Sequence, residues 1–156
     1  MINTDTIDWT GDDEVDPFTD EEEAAEEEAP APPERKFATV IDWVEGYLVK
    51  IVRRKLNPLA GKGLSWDERW WMYPEVVARL LALHDAWEEA RASDSGSAMS
   101  SWWIQHLEPQ LRVILDGDTG PMSLAAKDSG FIGHPPMPIA AVPDELRPYL
   151  VSPGKQ

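Results

Sequence analysis

The order of apolar and polar positions along the chain marks three helical stretches between two aperiodic ends. The first runs from Thr39 to about Arg54. Val40, Val44, Tyr47 and Ile51 recur at helical spacing, and Ile41, Leu48 and Val52 widen the stripe. Asp42, Gly46, Lys50 and Arg53 fall on the opposite side. Lys55 would return to the apolar face, so the helix ends there, and Asn57-Pro58 with Gly61-Lys62-Gly63 makes the loop. The second stretch has two starts. Ser65-Trp66-Asp67-Glu68 has capping-box spacing and predicts a short helix through Trp70-Trp71. Pro74 then suits the first turn of a longer helix, with Glu75 favourable at its positive end. Val76, Val77, Leu80, Leu81, His84 and Trp87 form the inner face predicted for it. The third helix begins near Ser100 after the loop Ser93-Asp94-Ser95-Gly96-Ser97. Trp103, Leu107, Leu111 and Ile114 mark its stripe. Pro109 should kink or divide it, and Asp116-Gly117 ends it.

These periods predict an all-α fold: a small three-helix bundle with one extra short helix over residues 37–122. Strand-like alternation is scarce.

Charge explains the two ends. The chain has 156 residues and a net charge of −15. Fourteen of its twenty-nine carboxylates lie in residues 1–34, which hold no Lys or Arg. So much like charge with few apolar side chains cannot offset the entropy of ordering. Residues 1–36 therefore read as a disordered acidic arm followed by a stiff Pro30, Pro32, Pro33 spacer. Seven of the fourteen prolines lie from Pro121 to Pro153, and residues 123–156 read as a Pro-rich, mostly extended tail. One short turn is expected around Pro143-Asp144-Glu145-Leu146.

Composition also removes several classes. There is no cysteine, hence no disulfide framework, thiolate nucleophile or cysteine metal site. No apolar run approaches the ~20 residues of a membrane helix, and the acidic start is unlike a signal or transit peptide. The expectation is a soluble, cytoplasmic protein with no membrane partner.

Tryptophan is the unusual feature. Seven of the eight lie between Trp43 and Trp103, two pairs of them adjacent. Most are expected in the core. Neighbours on a helix point ~100° apart, so both members of a pair cannot centre on one narrow stripe. One or two should be partly exposed, where an indole offers an apolar face and a polar N–H to a partner.

The string Trp66-x-x-x-Trp70-Trp71-x-x-Pro74-Glu75 continues through Arg79-Leu80-x-Ala82-Leu83-x-x-Ala86-Trp87-Glu88-x-x-Arg91. Met99-Ser100-x-Trp102-Trp103-x-x-His106-x-x-Pro109 follows, and Leu115-Asp116 and Gly120-Pro121 close the pattern. It resembles the actinobacterial domain of unknown function 4913 family over about residues 37–122. The resemblance implies an origin in an actinobacterium or one of its phages or mobile elements, and brings no established activity. It also implies Cys in many members where this chain has Asp67, His where it has Tyr73, and often Cys after the Gly-Pro. If those residues form a metal or redox site elsewhere in the family, this chain has lost it. The positions that match are mostly apolar or capping residues, which fits a shared fold better than shared catalysis.

Candidate chemistry is sparse. His84, His106 and Glu88 make a two-His, one-carboxylate metal alternative, set against plain hydrogen-bonding roles for both histidines. The chain has no H-E-x-x-H, G-x-S-x-G or Walker A sequence. No catalytic residue, metal or cofactor is therefore assigned, and the expectation is not an enzyme. Lys50, Arg53, Arg54, Lys55 and Lys62 form a cationic run that suits phosphate contact. Residues 37–122 nevertheless hold twelve acidic and nine basic residues, a poor balance for a nucleic-acid binder. The leading expectation is a protein-interaction module acting through Trp66, Trp70, Trp71, Trp102, Trp103 and His106. Its partner is unidentified, with a host protein as one candidate and a homodimer as another outlet for exposed tryptophan. The alternative is a nucleic-acid binder whose cationic patch is gated by the acidic arm.

Overall fold

The computed structural model describes residues 31–150, and helices supply their regular structure, with no β-strand among them beyond two isolated bridges. The expectation of a disordered arm falls mainly on residues 1–30, outside the described residues. Helix α1 spans residues 40–51 in three joined pieces: Val40–Trp43, a π-type turn at Val44–Leu48, and Val49–Ile51. The Thr39 hydroxyl caps it by accepting from the Asp42 amide at 3.1 Å. Helix α2 is Pro74–Ala92, with Pro74 in its first turn. Helix α3 covers residues 98–114 as Ala98–Ser101, a π-type turn at Trp102–Leu107, and Glu108–Ile114. Short 3₁₀ turns at Trp70–Met72 and Asp144–Tyr149 complete the elements. The fold is all-α, three main helices with a short fourth, as the periods predict.

The core differs from the predicted stripes in a regular way. A π turn closes i→i+5 hydrogen bonds, so residues five apart share a face. In α1 this aligns buried Trp43 with Leu48, and in α3 buried Trp102 with Leu107. Helical spacing of four selects Trp103 instead, which is half-buried, and it misses Trp43. Ile41 and Leu81, both predicted inward, are exposed, while Leu83 and Glu88 are buried. The two buried indoles meet edge to face, with ring centroids 6.2 Å apart. The Trp102 Nε1–H donates to the Leu83 carbonyl at 3.1 Å, tying α3 to α2.

Three local expectations are corrected. Helix α1 stops at Ile51, because Val52 is already extended. The capping box does not form. Ser65 is buried, and its hydroxyl donates to the Met122 carbonyl at 2.9 Å. Helix α3 continues through Pro109, because the wide turn before it absorbs the missing amide and the crowding of the ring.

The chain on either side of the bundle is held by polar contacts to α2 and to the segment before it. Buried Glu88 accepts the amides of Lys36 and Phe37 at 3.1 and 2.9 Å, and Arg91 reaches it at 2.9 Å. Beyond Met122, Phe131 packs on Tyr73 with centroids 6.0 Å apart. His134 Nε2 is 2.9 Å from the hydroxyl of buried Ser123.

Candidate functional site

The loop after α1 borders a grooved part of the surface. Leu64 bridges to Leu56 on one side and to Asp116 on the other. The Asn57 amide donates to the Leu64 carbonyl at 2.8 Å, and the Ser65 amide to the Leu115 carbonyl at 2.8 Å. Gly117 donates to the Gly63 carbonyl at 2.9 Å and accepts from the Gly61 amide at 2.9 Å. A side-chain carbon on Gly117 would lie 2.6 Å from that Gly63 oxygen, so glycine is needed there. This ladder fixes the loop beside the ends of α1 and α3 without closing over them.

Two adjoining hollows result, of about 160 and 200 Å³, which share Arg54, Leu111 and Leu115. Leu48, Val52, Leu56 and Trp66 line the first. Leu64, Arg112 and Glu108 line the second. The floor is apolar and the rim carries two guanidinium groups. Leu56 and Val49 at the edge are 44% and 47% exposed.

The two residue sets predicted from sequence meet in part here. Trp66, from the tryptophan set, and Arg54, from the cationic set, line the same hollow. Lys50, Arg53, Lys55 and Lys62 are also exposed, and none forms an ion pair among the described residues. The rest of the tryptophan set divides. Trp70 and Trp102 are buried and present no ring to a partner, whereas Trp71 is 61% exposed. Trp103 is half-buried and His106 exposed. Neither Leu56 nor Arg112 stands out in the sequence, and Leu115 does so only as part of the family pattern. The available signal was the pair of leucines, Leu56 and Leu59, inside a polar Pro/Gly loop.

The metal alternative does not assemble. His84 is 2% exposed and stacked on Trp43 at 5.4 Å, while His106 lies on the surface. Glu88 is occupied by two amides and Arg91, and its Oε1 is 3.5 Å from His84 Nε2 without a hydrogen bond. Among the described residues no three potential ligands cluster.

A second polar cluster surrounds Asp67. Arg69 grips its carboxylate with Nε at 3.1 Å and a terminal nitrogen at 2.8 Å, and the Tyr73 hydroxyl donates to it at 2.5 Å. Arg69 also donates to the Ser129 carbonyl at 2.7 Å, holding the chain after the bundle. The Arg69 hydrogen bonds hold the Asp67 carboxyl down at about 2, against the opposing effect of burial. Burial, with the hydrogen bond to Asp67, pushes the Tyr73 phenol up to about 12. The two positions at which the resemblance implies Cys and His are thus in direct contact, joined by a carboxylate–phenol bond.

The model of the domain of unknown function DUF4913 matches residues 37–143. The chain belongs to this family. The match takes in all three helices of the DUF4913 bundle, the hollows and the Phe131–His134 contact. No curated protein and no solved structure gives a match. Among the described residues no helix is long and apolar enough to cross a membrane.

Proposed function

We propose that this DUF4913 protein is a non-catalytic, cytoplasmic protein-interaction module, an accessory protein of an actinobacterial phage or other mobile element. Its contact surface is the groove formed by the two hollows. One observation carries the reading: an open, mostly apolar groove with Trp66 in its lining also holds Arg54 and Arg112, against the single carboxylate of Glu108. An apolar floor with a polar rim is the anatomy of a protein interface, and buried aromatic and arginine anchors supply most of the energy there. The role moves from the tryptophan pairs as a whole to Trp66, with Trp71 a separate exposed ring.

A photo-crosslinking residue at Leu56 in cells that carry the protein tests this. Protein adducts that survive nuclease and disappear with Arg54→Glu are expected. Adducts to nucleic acid only, or none, would overturn it.

A second reading has its own observation. Lys50, Arg53, Arg54, Lys55 and Lys62 are all exposed and free of carboxylate partners among the described residues. Nucleic-acid binding would then fall steeply with salt, with a slope of about −0.9 per neutralised phosphate on a duplex. The proposed gating by the acidic arm concerns residues outside the described ones.

A further inference from the structure

We propose that the groove receives residues 135–143 of a second copy of this chain, so that two copies exchange tails. The inference rests on the groove being a protein-binding site and names its occupant.

The first observation is an apolar surface in the wrong place. Residues 135–143 form no helix or strand. Beyond the anchored His134, Met137 is 87% exposed and Ile139 95%. Placing such side chains in water forfeits ~25 cal/mol for each Å² that a groove would cover. The same molecule leaves an apolar groove open. The segment and the groove are each incomplete, and each lacks what the other offers.

The second observation is stiffness. Pro135, Pro136, Pro138 and Pro143 fix φ and keep the segment extended. A segment already extended loses little conformational entropy on docking. A polyproline-type segment presents its side chains in three directions per turn, and hollows of about 160 and 200 Å³ have room for a few of them.

Charge supplies the third. Asp144 and Glu145 directly follow the segment, and both are exposed. Asp144 pairs with Arg147 at 3.0 Å, which leaves Glu145 as the acid without an ion-pair partner among the described residues. Arg54 and Arg112 stand at the groove without an ion-pair partner among the described residues; Glu108 is the one carboxylate in the lining. An acidic end on the docking segment fits that rim and sets its direction.

The root of the tail is fixed near the groove. His134 is bonded to Ser123, and the adjacent Met122 carbonyl is held by Ser65. Ser65 lies between Leu64 and Trp66, which line the two hollows. Each tail therefore starts beside a groove. A two-fold axis past this corner lets each copy fill the other's site, an isologous contact that closes on itself.

The test uses the full chain with a photo-crosslinker at Leu56, mixed as isotopically light and heavy copies. A species of twice the chain mass is expected, with light–heavy crosslinks from position 56 to residues 135–143. Sedimentation should show a concentration-dependent dimer. Ile139→Asp and Leu56→Asp alter exposed positions, so each should keep its unfolding midpoint while weakening association by about tenfold or more. Mixing the two variants should restore part of it, because one intact tail and one intact groove remain. Crosslinks confined to a single chain would overturn the exchange, as would a monomer at about 0.1 mM or a dimer indifferent to both variants. If position 56 captures a different protein in cells while the chain stays monomeric, the exchange fails and the protein-binding reading stands. If it captures no protein at all, both fail.

Discussion

The Tyr73 hydroxyl donates to the Asp67 carboxylate at 2.5 Å, across a face of the fold that Arg69 closes from the other side. The folded carboxyl titrates at about 2, below its ordinary 3.8. A depressed pKa contributes stability that is complete above about pH 4 and is lost as pH falls through about 2. The contribution is about 2 kcal/mol. Urea unfolding of the wild type should therefore weaken between pH 4 and 2 by more than that of Asp67→Asn. Equal acid sensitivity of the two proteins would refute the assignment.

The phenol gives the alkaline counterpart. Its pKa is raised to about 12, so its contribution is complete below about pH 10 and disappears as pH rises through 12. Tyr73→Phe should cost about 1–3 kcal/mol at neutral pH, because Asp67 keeps its burial and loses a donor. Absorbance at the tyrosinate band should lose its late-titrating component in this variant.

Glu88 is the anchor for the chain entering α1. Burial raises its carboxyl pKa, but the Phe37 and Lys36 amides with Arg91 more than reverse this and hold it low. Glu88→Ala strands two backbone donors and one guanidinium, at a cost of about 2–3 kcal/mol. Hydrogen exchange at the Lys36 and Phe37 amides should accelerate well before the amides of α2 respond. Uniform acceleration would mean that the contact is not local.

The adjacent tryptophan pairs should separate by quenching. Trp71 is 61% exposed, whereas Trp102 is 1% exposed and hydrogen-bonded to the Leu83 carbonyl. Trp71→Phe should lower the iodide-accessible fluorescence and change stability by no more than about 0.5 kcal/mol, whereas loss of buried Trp102 should not lower that fluorescence. Trp102→Ala should cost about 3–5 kcal/mol, measured by denaturant midpoint.

Gly117→Ala tests the ladder beneath the groove. The new carbon would press on the Gly63 carbonyl, so the loop holding Leu56 and Leu64 must move away from α3. A loss of about 1–3 kcal/mol is expected, together with altered shifts at Leu56 and Trp66 in NMR spectra.

Helix number, helix class and the role of Pro74 were legible because each rests on local chemistry: period, proline geometry and turn residues. The choice between Trp102 and Trp103 was not. It depends on a π turn, and a periodicity of 3.6 assigns the wrong neighbour whenever the register widens. Ser65 was misread for a related reason. Its spacing to Glu68 is that of a cap, but its partner is Met122, far along the chain. The groove was half legible. Arg54 and Trp66 each attracted attention alone, yet nothing in their sequence positions places Leu111, Leu115 and Arg112 beside them.

The wide turn at Trp102–Leu107 also bears on how the chain tolerates changes in length. A π turn is an α turn carrying one inserted residue. Deleting Trp102 itself would restore ordinary register, because Trp103 stands four residues before Leu107, and would hand the core position to Trp103, an identical side chain. The doubled tryptophan is thus a spare part, and this turn is where a one-residue deletion leaves the bundle's packing most nearly intact.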